Sequence, residues 1–236
     1  MLPYPKTKLL FFDLETVGEF PTLSELERNK PSLHKVFMKY QDWFIKKFPE
    51  DKEKTADEIY ETRAALVPEF AKIVVASFAF LGTDGTVQKQ TFAIDNEKEL
   101  LKNTIKLLNK VHKLNFYLCG HNIKGFDIPM LYKRMMINGF QPAVILPTAD
   151  TKPWDIKALD TKEFWNGTNP FTIAQLELIS TAMGCDSSKG GPVTGGIVHH
   201  SYWEAGVLDK IAEYCEQDVK ALVDLIVKFD SLEYVQ

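Results

Sequence analysis

The chain has 236 residues, 45% hydrophobic and 12% aromatic, enough for one packed domain and too few for two large ones. A formal net charge of −4 argues against a general nucleic-acid coat but not against an enzyme that grips one strand end locally. The longest apolar run, Ile73 to Leu81, falls far short of the roughly 20 residues of a membrane-spanning helix. No secretory signal precedes the first strand. Cys119, Cys185 and Cys215 are odd in number and widely spaced, which points to a reducing cytoplasm rather than a disulfide framework or a zinc site.

Lys8 to Glu15 predicts a strand by its length and aromatic content. On a period of two, Leu9, Phe11, Asp13 and Glu15 share one face, so the strand begins as core and ends in two carboxylates. Residues 19 to 68 predict a helical insertion. A polar helical stretch from Leu23 to Phe48 is split at Pro31, and a second runs from Asp57 to Leu66. A packed accessory hairpin, a lid and a substrate guide all fit that text. Lys72 to Phe80 predicts a buried strand. The Asp84-Gly85 pair then turns it into a second strand over Val87 to Ile94.

Glu97 to Leu114 predicts a helix with leucine and isoleucine at 100, 101, 105, 107 and 108. Asn115 to Gly120 predicts a short strand. Ile128 to Asn138 predicts a helix with Pro129 in its first turn and Gly139 past its end. Further helices are expected over Phe171 to Met183 and Val207 to Leu232. A hairpin-bearing first half followed by alternating helix and strand indicates an α/β fold, a mixed sheet with helices on both faces.

Three short acidic motifs carry the chemistry: Phe12-Asp13-Leu14-Glu15-Thr16, Asn122-Ile123-Lys124-Gly125-Phe126-Asp127 and Tyr214-Cys215-Glu216-Gln217-Asp218. Asp13 and Glu15, at i and i+2, repel unless a cation sits between them. By themselves they also fit a solvated strand end. Asp127 precedes Ile128-Pro129 and fits a helix N-cap, a role compatible with holding a metal. Tyr214 and Asp218, at i and i+4, are neighbours on one helix. Asp218 lies at the margin of the apolar stripe Leu208, Ile211, Cys215, Val219, Leu222 and Ile226, so it needs a partner. The conjunction of the three motifs outweighs any one of them. A cluster of hard oxygen ligands converging from separate elements is what two-metal phosphodiester cleavage requires.

The three motifs resemble those of the DnaQ-like, RNase H-like 3′–5′ exonucleases with a four-acid site. Asp13 and Glu15 match the first motif, Asp127 the second and Asp218 the third. Tyr214 matches the tyrosine-type (DEDDy) subclass. The stretches Ala65–Val74, Trp154–Thr161, Ala174–Gly184, Lys189–Val193, Tyr202–Gly206 and Ile211–Val219 resemble stand-alone exonucleases related to the proofreading domain of family B DNA polymerases. The resemblance covers nearly all the chain except about Glu19 to Tyr60.

It implies a single RNase H-like domain over 1–236 with a sheet of about five strands. It implies two Mg²⁺ or Mn²⁺ ions held by Asp13, Glu15, Asp127 and Asp218, with Asp13 bridging and Tyr214 positioning the attacking water. Leu14, Thr16, Asn122 and Phe126 are expected to touch the terminal nucleotide, although Leu14 and Phe126 fit a place in the core equally well. The implied activity is release of nucleoside 5′-monophosphates from single-stranded DNA 3′ ends, in proofreading or repair. The protein is expected to act as a cytoplasmic monomer, with a replicative polymerase as a partner in trans. An RNA 3′ exonuclease of the same chemistry and a catalytically inactive binding module are the alternatives. Asp155 and Asp160 stand outside the ligand set. Lys124, Lys189, His199 and His200 are read as solvated surface able to meet phosphates.

Overall fold

The computed structural model describes residues 2–169, 173–185 and 198–233. Five strands form one mixed sheet: β1 (Leu9–Gly18), β2 (Ala71–Leu81), β3 (Val87–Ala93), β4 (Tyr117–Gly120) and β5 (Ala158–Asp160), in the order β3-β2-β1-β4-β5. β1, β2 and β3 pair antiparallel, whereas β4 and β5 run parallel to β1 and to each other. β5 has only three residues, too short for any period to announce it, and it was absent from the strands read by pattern.

The alternation along β1 divides the core. Leu10, Phe12 and Leu14 pack on α5 (Glu97–Lys113) and α6 (Asp127–Ile137), through Leu100, Leu101, Leu108, Ile128, Leu131 and Met135. Leu9 and Phe11, on the other face, meet Val219, Leu222, Val223 and Ile226 of the long helix α10 (Leu208–Asp230). Asp13 and Glu15 continue this second alternation, so they emerge on the α10 side of the sheet. The register shifts between Glu15 and Thr16, whose partners are Val75 and Ile73, leaving Val74 as the extra residue of a bulge on β2. Val74 and Val75 both join the apolar cluster formed with Ile211, Tyr214 and Cys215 of α10.

Between β1 and β2 the chain makes α1 (Leu23–Asn29), α2 (Pro31–Lys39), α3 (Gln41–Lys47) and α4 (Ala56–Arg63). Pro31 opens α2, as its fixed φ favours at a first helical turn. These helices have their own apolar cluster, in which Leu26, Phe37, Phe44, Tyr60 and Phe70 are buried. Asp51 is buried beside Arg63 and Lys54, and the Arg63 hydrogen bond leads in holding its carboxyl down at about 2.

One polar strut fixes α6. The buried Glu97 carboxylate accepts from Ile73 N–H of β2 at 2.9 Å, from Arg134 of α6 and from Asn138 Nδ2. Arg134 also donates to the Pro68 carbonyl. With all partners satisfied, the pair locks α5, α6 and β2 together. Gly120, at the end of β4, has a steric reason. A Cβ there would meet Ile123 Cγ2 at 2.2 Å and the Phe12 carbonyl oxygen at 2.8 Å, so only glycine lets β4 lie this close to β1.

Two expectations need correction. The helix expected from Phe171 begins at Leu176, preceded by α7 (Thr161–Asn166), and is called α8 (Leu176–Ala182). Residues 173–175 are non-helical because the Ala174 carbonyl accepts from His121 Nε2 at 2.7 Å and Gln175 is extended; residues 170–172 lie outside the described set. Asp127 is not an N-cap. Phe126 occupies that position, and Asp127 is the first helical residue. A short helix, α9 (Val198–Trp203), precedes α10. Among the described residues, no helix is long and apolar enough to cross a membrane.

Candidate active site

Four carboxylates approach one another where β1, α6 and α10 come together, with Asp127, Glu15 and Asp218 each near enough to act on Asp13. Asp13 and Glu15 come from β1, Asp127 opens α6, and Asp218 lies mid-way along α10. Glu15 and Asp127 are buried, and Asp13 and Asp218 keep partial exposure. Donor atoms of Asp13, Glu15 and Cys215 lie within 4.8 Å of one another. Burial first, then the charges of Asp127, Glu15 and Asp218, push the Asp13 carboxyl well above the usual range. Glu15 is raised in the same way, by burial and then by Asp218 and Asp127. Burial also lifts Asp127 to about 7, although its own backbone N–H and that of Leu14 pull the other way.

The Asp127 Oδ1 atom is buried and has no hydrogen-bond partner. An orphaned buried carboxylate oxygen, on a residue whose charge reaches Asp13 and Glu15, is costly unless a cation joins the group. The donor set is hard oxygen, which suits Mg²⁺ or Mn²⁺. Cys215 does not alter that preference. Burial and the neighbouring carboxylates push its thiol up, so it stays protonated, and its sulfur lies 3.4 Å from the Asp13 carbonyl oxygen as a donor.

Tyr214 is buried at the rim of the α10 stripe, and its hydroxyl donates to the Asp218 carboxylate. Burial and the nearby Asp218 and Glu15 charges raise its pKa, so the phenol stays a proton donor at any working pH. The expected nucleotide contacts divide. Leu14 is core, and the Thr16 hydroxyl is engaged with the Ala65 carbonyl at 2.9 Å, so neither offers a free side chain. Asn122 and Phe126 keep partial exposure. Asn122 adopts the left-handed conformation (φ 59°) that starts the turn into α6.

Asp160 has a role that spacing did not reveal. Its buried carboxylate accepts from the backbone N–H of Asn122 (2.9 Å), Lys124 (3.0 Å) and Lys162 (3.0 Å). It therefore caps α7 and clamps the loop that delivers Asp127. The one available signal was Asp160 followed by Glu163, a pattern that marks a helix start. Asp160→Ala strands three N–H groups and is expected to cost about 2–3 kcal/mol in urea unfolding. Asp160→Asn keeps an acceptor and a competent cap, so it should cost clearly less. Equal losses would deny the clamp.

Two histidines are structural rather than solvated. His199 accepts from Gly18 N–H and donates to the Pro21 carbonyl, each at 3.0 Å. The Nδ1 of His121 lies 2.9 Å from the Thr161 hydroxyl. Burial lowers both pKa values and keeps both rings neutral. Lys124 pairs with Glu163 and His200 with Glu204, and Lys189 lies outside the described residues.

No curated protein matches this sequence. The family B DNA polymerase of the hyperthermophilic archaeon Pyrobaculum calidifontis superposes with a TM-score of 0.60 at 14% identity, over 95% of this chain and 25% of the polymerase. Escherichia coli exonuclease I, in complex with a 5cy-dT13 oligonucleotide, gives a TM-score of 0.41 at 12% identity, over 96% of this chain and 41% of its own. The chain thus spans a quarter of the polymerase and about two fifths of exonuclease I. At this identity the polymerase shows the fold alone, and it is the mixed five-stranded sheet flanked by helices described above. A family model described as a predicted 3′–5′ exonuclease related to the exonuclease domain of PolB matches residues 66–232. That span takes in β2 to α10, and the chain belongs to this family of exonucleases related to the exonuclease domain of PolB.

Proposed function

We propose that the protein is a metal-dependent 3′–5′ exonuclease that shortens single-stranded DNA one nucleotide at a time. The observation that carries this reading is the convergence of Asp13, Glu15, Asp127 and Asp218 from three elements, with a buried Asp127 oxygen left unpaired. The four carboxylates would hold two Mg²⁺ or Mn²⁺ ions, which supply Lewis acidity and a nucleophilic water at neutral pH. The Tyr214 hydroxyl, whose proton goes to Asp218, would accept from that water and orient it. Its raised pKa keeps the proton in place, so it orients without acting as a base.

Water adds at the terminal phosphorus, the bond to the 3′ oxygen breaks, and that oxygen leaves with a proton. A nucleoside 5′-monophosphate is freed and the shortened strand keeps a 3′ hydroxyl. Asn122 and Phe126 offer surface to the last sugar and base, with Leu14 in the apolar cluster behind Phe126 and Thr16 held by Ala65. A stacked base on Phe126 is sequence-tolerant. The activity suits removal of mispaired or damaged ends, in trans to a polymerase or alone, by a monomer in the cytoplasm.

A 5′-labelled oligonucleotide incubated with Mn²⁺ should yield a ladder that shortens from the 3′ end by single steps, with free 5′-monophosphate. A matched RNA strand should decay more slowly, and faster RNA decay would reassign the substrate. Internal cuts, or release from the 5′ end, would exclude the proposed activity.

A further inference from the structure

The helical insertion lies largely outside the family match at residues 66–232. One stretch within it runs against the charge of the chain. Residues 30 to 48 hold five lysines against one aspartate, a local excess of four positive charges in a protein of net charge −4. Lys30 pairs with Glu19, whereas Lys35, Lys39, Lys46 and Lys47 are exposed and enter no ion pair among the described residues.

Lys47 borders exposed aromatic surface, and the other three lie on the same two helices, α2 and α3. Tyr40 is 50% and Trp43 41% exposed, both on the rim of a groove of about 500 Å³ between α2, α3, the segment before β2 and α6. The Trp43 ring is fixed by edge contacts with Tyr40 and Phe44, and Lys47 Nζ lies 4.8 Å from its centroid. Lys133 closes the far wall and neutralises Glu69 at 3.1 Å, the one carboxylate in the lining.

The groove is linked to two elements of the carboxylate site, β1 and α6. Leu66 and Val67 in its wall follow Ala65, whose carbonyl accepts from Thr16 beside Glu15. Lys133 lies six residues beyond Asp127 on α6, about 9 Å of helix rise. Exposed rings beside a cation that enters no ion pair among the described residues suit a single-stranded nucleic acid, because every base has a π face and every linkage a negative charge.

We propose that this groove holds the single-stranded segment of the substrate leading to the carboxylate site, with bases on Tyr40 and Trp43 and a phosphate on Lys47. The polarity of the track rests on the exonuclease reading, but the groove's affinity for a single strand does not.

Anisotropy of a 5′-fluorescein oligothymidylate of about 15 nucleotides, titrated with the full chain in EDTA, tests the groove without cleavage. Trp43→Ala should weaken binding by about tenfold or more. The exposed Lys47→Glu, which reverses the charge beside Trp43, should weaken it and reduce the salt slope by about 0.7 per lost phosphate contact. Hydrolysis of the dinucleotide d(TpT), too short to reach the groove, should be unchanged in both variants. Wild-type affinity and salt slope in both variants would overturn the proposal, and a groove built for a peptide would give that result. If the wild type cleaves nothing while the variants still lose affinity, the nuclease reading fails and the groove stands.

Discussion

Asp13→Ala and Asp218→Ala are each expected to lower the exonuclease rate by about 10³-fold or more, the kinetic equivalent of the several kcal/mol that metal ions contribute to the transition state. Loss of folding is not the cause to fear. In the metal-free protein Asp13 is held in its unfavourable state by burial and by three neighbouring carboxylates, so deleting it relieves repulsion. Metal-free Asp13→Ala should therefore melt at or above the wild-type temperature while its activity collapses. A structural role for Asp13 predicts the two to fall together. Tyr214→Phe keeps every carboxylate and removes one hydroxyl that touches Asp218. It should lose about 10- to 100-fold in rate, the penalty for a misplaced water, with metal binding retained. A full rate in Tyr214→Phe would remove Tyr214 from the chemistry.

The second large effect is on stability, and its sign follows from the same cluster. Asp13, Glu15 and Asp127 titrate above their ordinary range in the folded protein, Asp127 at about 7. In the unfolded chain such groups ionise near pH 4. From about pH 4 to about pH 7 the folded state therefore binds more protons, and stability falls as pH rises through that window. The Asp127 shift alone corresponds to about 4 kcal/mol at pH 8. Asp51 works with the opposite sign. Its carboxyl is depressed to about 2, so its contribution is lost only as pH falls from about 4 to about 2, beneath that window.

Metal-free protein should thus be markedly less stable at pH 8 than at pH 5. A divalent ion at about 100 times its Kd should restore about 2.7 kcal/mol, a rise in Tm of roughly 5–10 °C for a chain of this size. Thermal unfolding in EDTA and in Mn²⁺ at the two pH values measures both. A flat profile in EDTA, or an unchanged Tm with metal, would show that the carboxylates neither repel nor bind.

Legibility in the sequence followed physical range. β1 was readable because Leu9, Phe11, Asp13 and Glu15 alternate over a long strand, and α5 because its leucines keep a helical period for four turns. β5 was not, since three residues carry no period and their place is fixed by pairing Leu118 with Ala158 and Gly120 with Asp160. The start of α8 was misplaced because a distant contact, His121 to the Ala174 carbonyl, outcompetes local propensity. The four carboxylates were recognisable as residues by their motifs, but their convergence belongs to the crossing of β1, α6 and α10. The Glu97–Arg134 strut and the Asp160 clamp left little trace, because a polar side chain buried by tertiary partners looks like surface in one dimension. The lysine excess of residues 30 to 48 was in plain view, but its meaning required the groove beside it.

Everything above turns on whether Asp13, Glu15, Asp127 and Asp218 together hold divalent cations. Anomalous diffraction from a crystal soaked in Mn²⁺ answers that directly. Two peaks about 3.5–4 Å apart among the four carboxylates are the expected result. A fully soaked crystal with no peak there, or with manganese bound only elsewhere, would contradict the account.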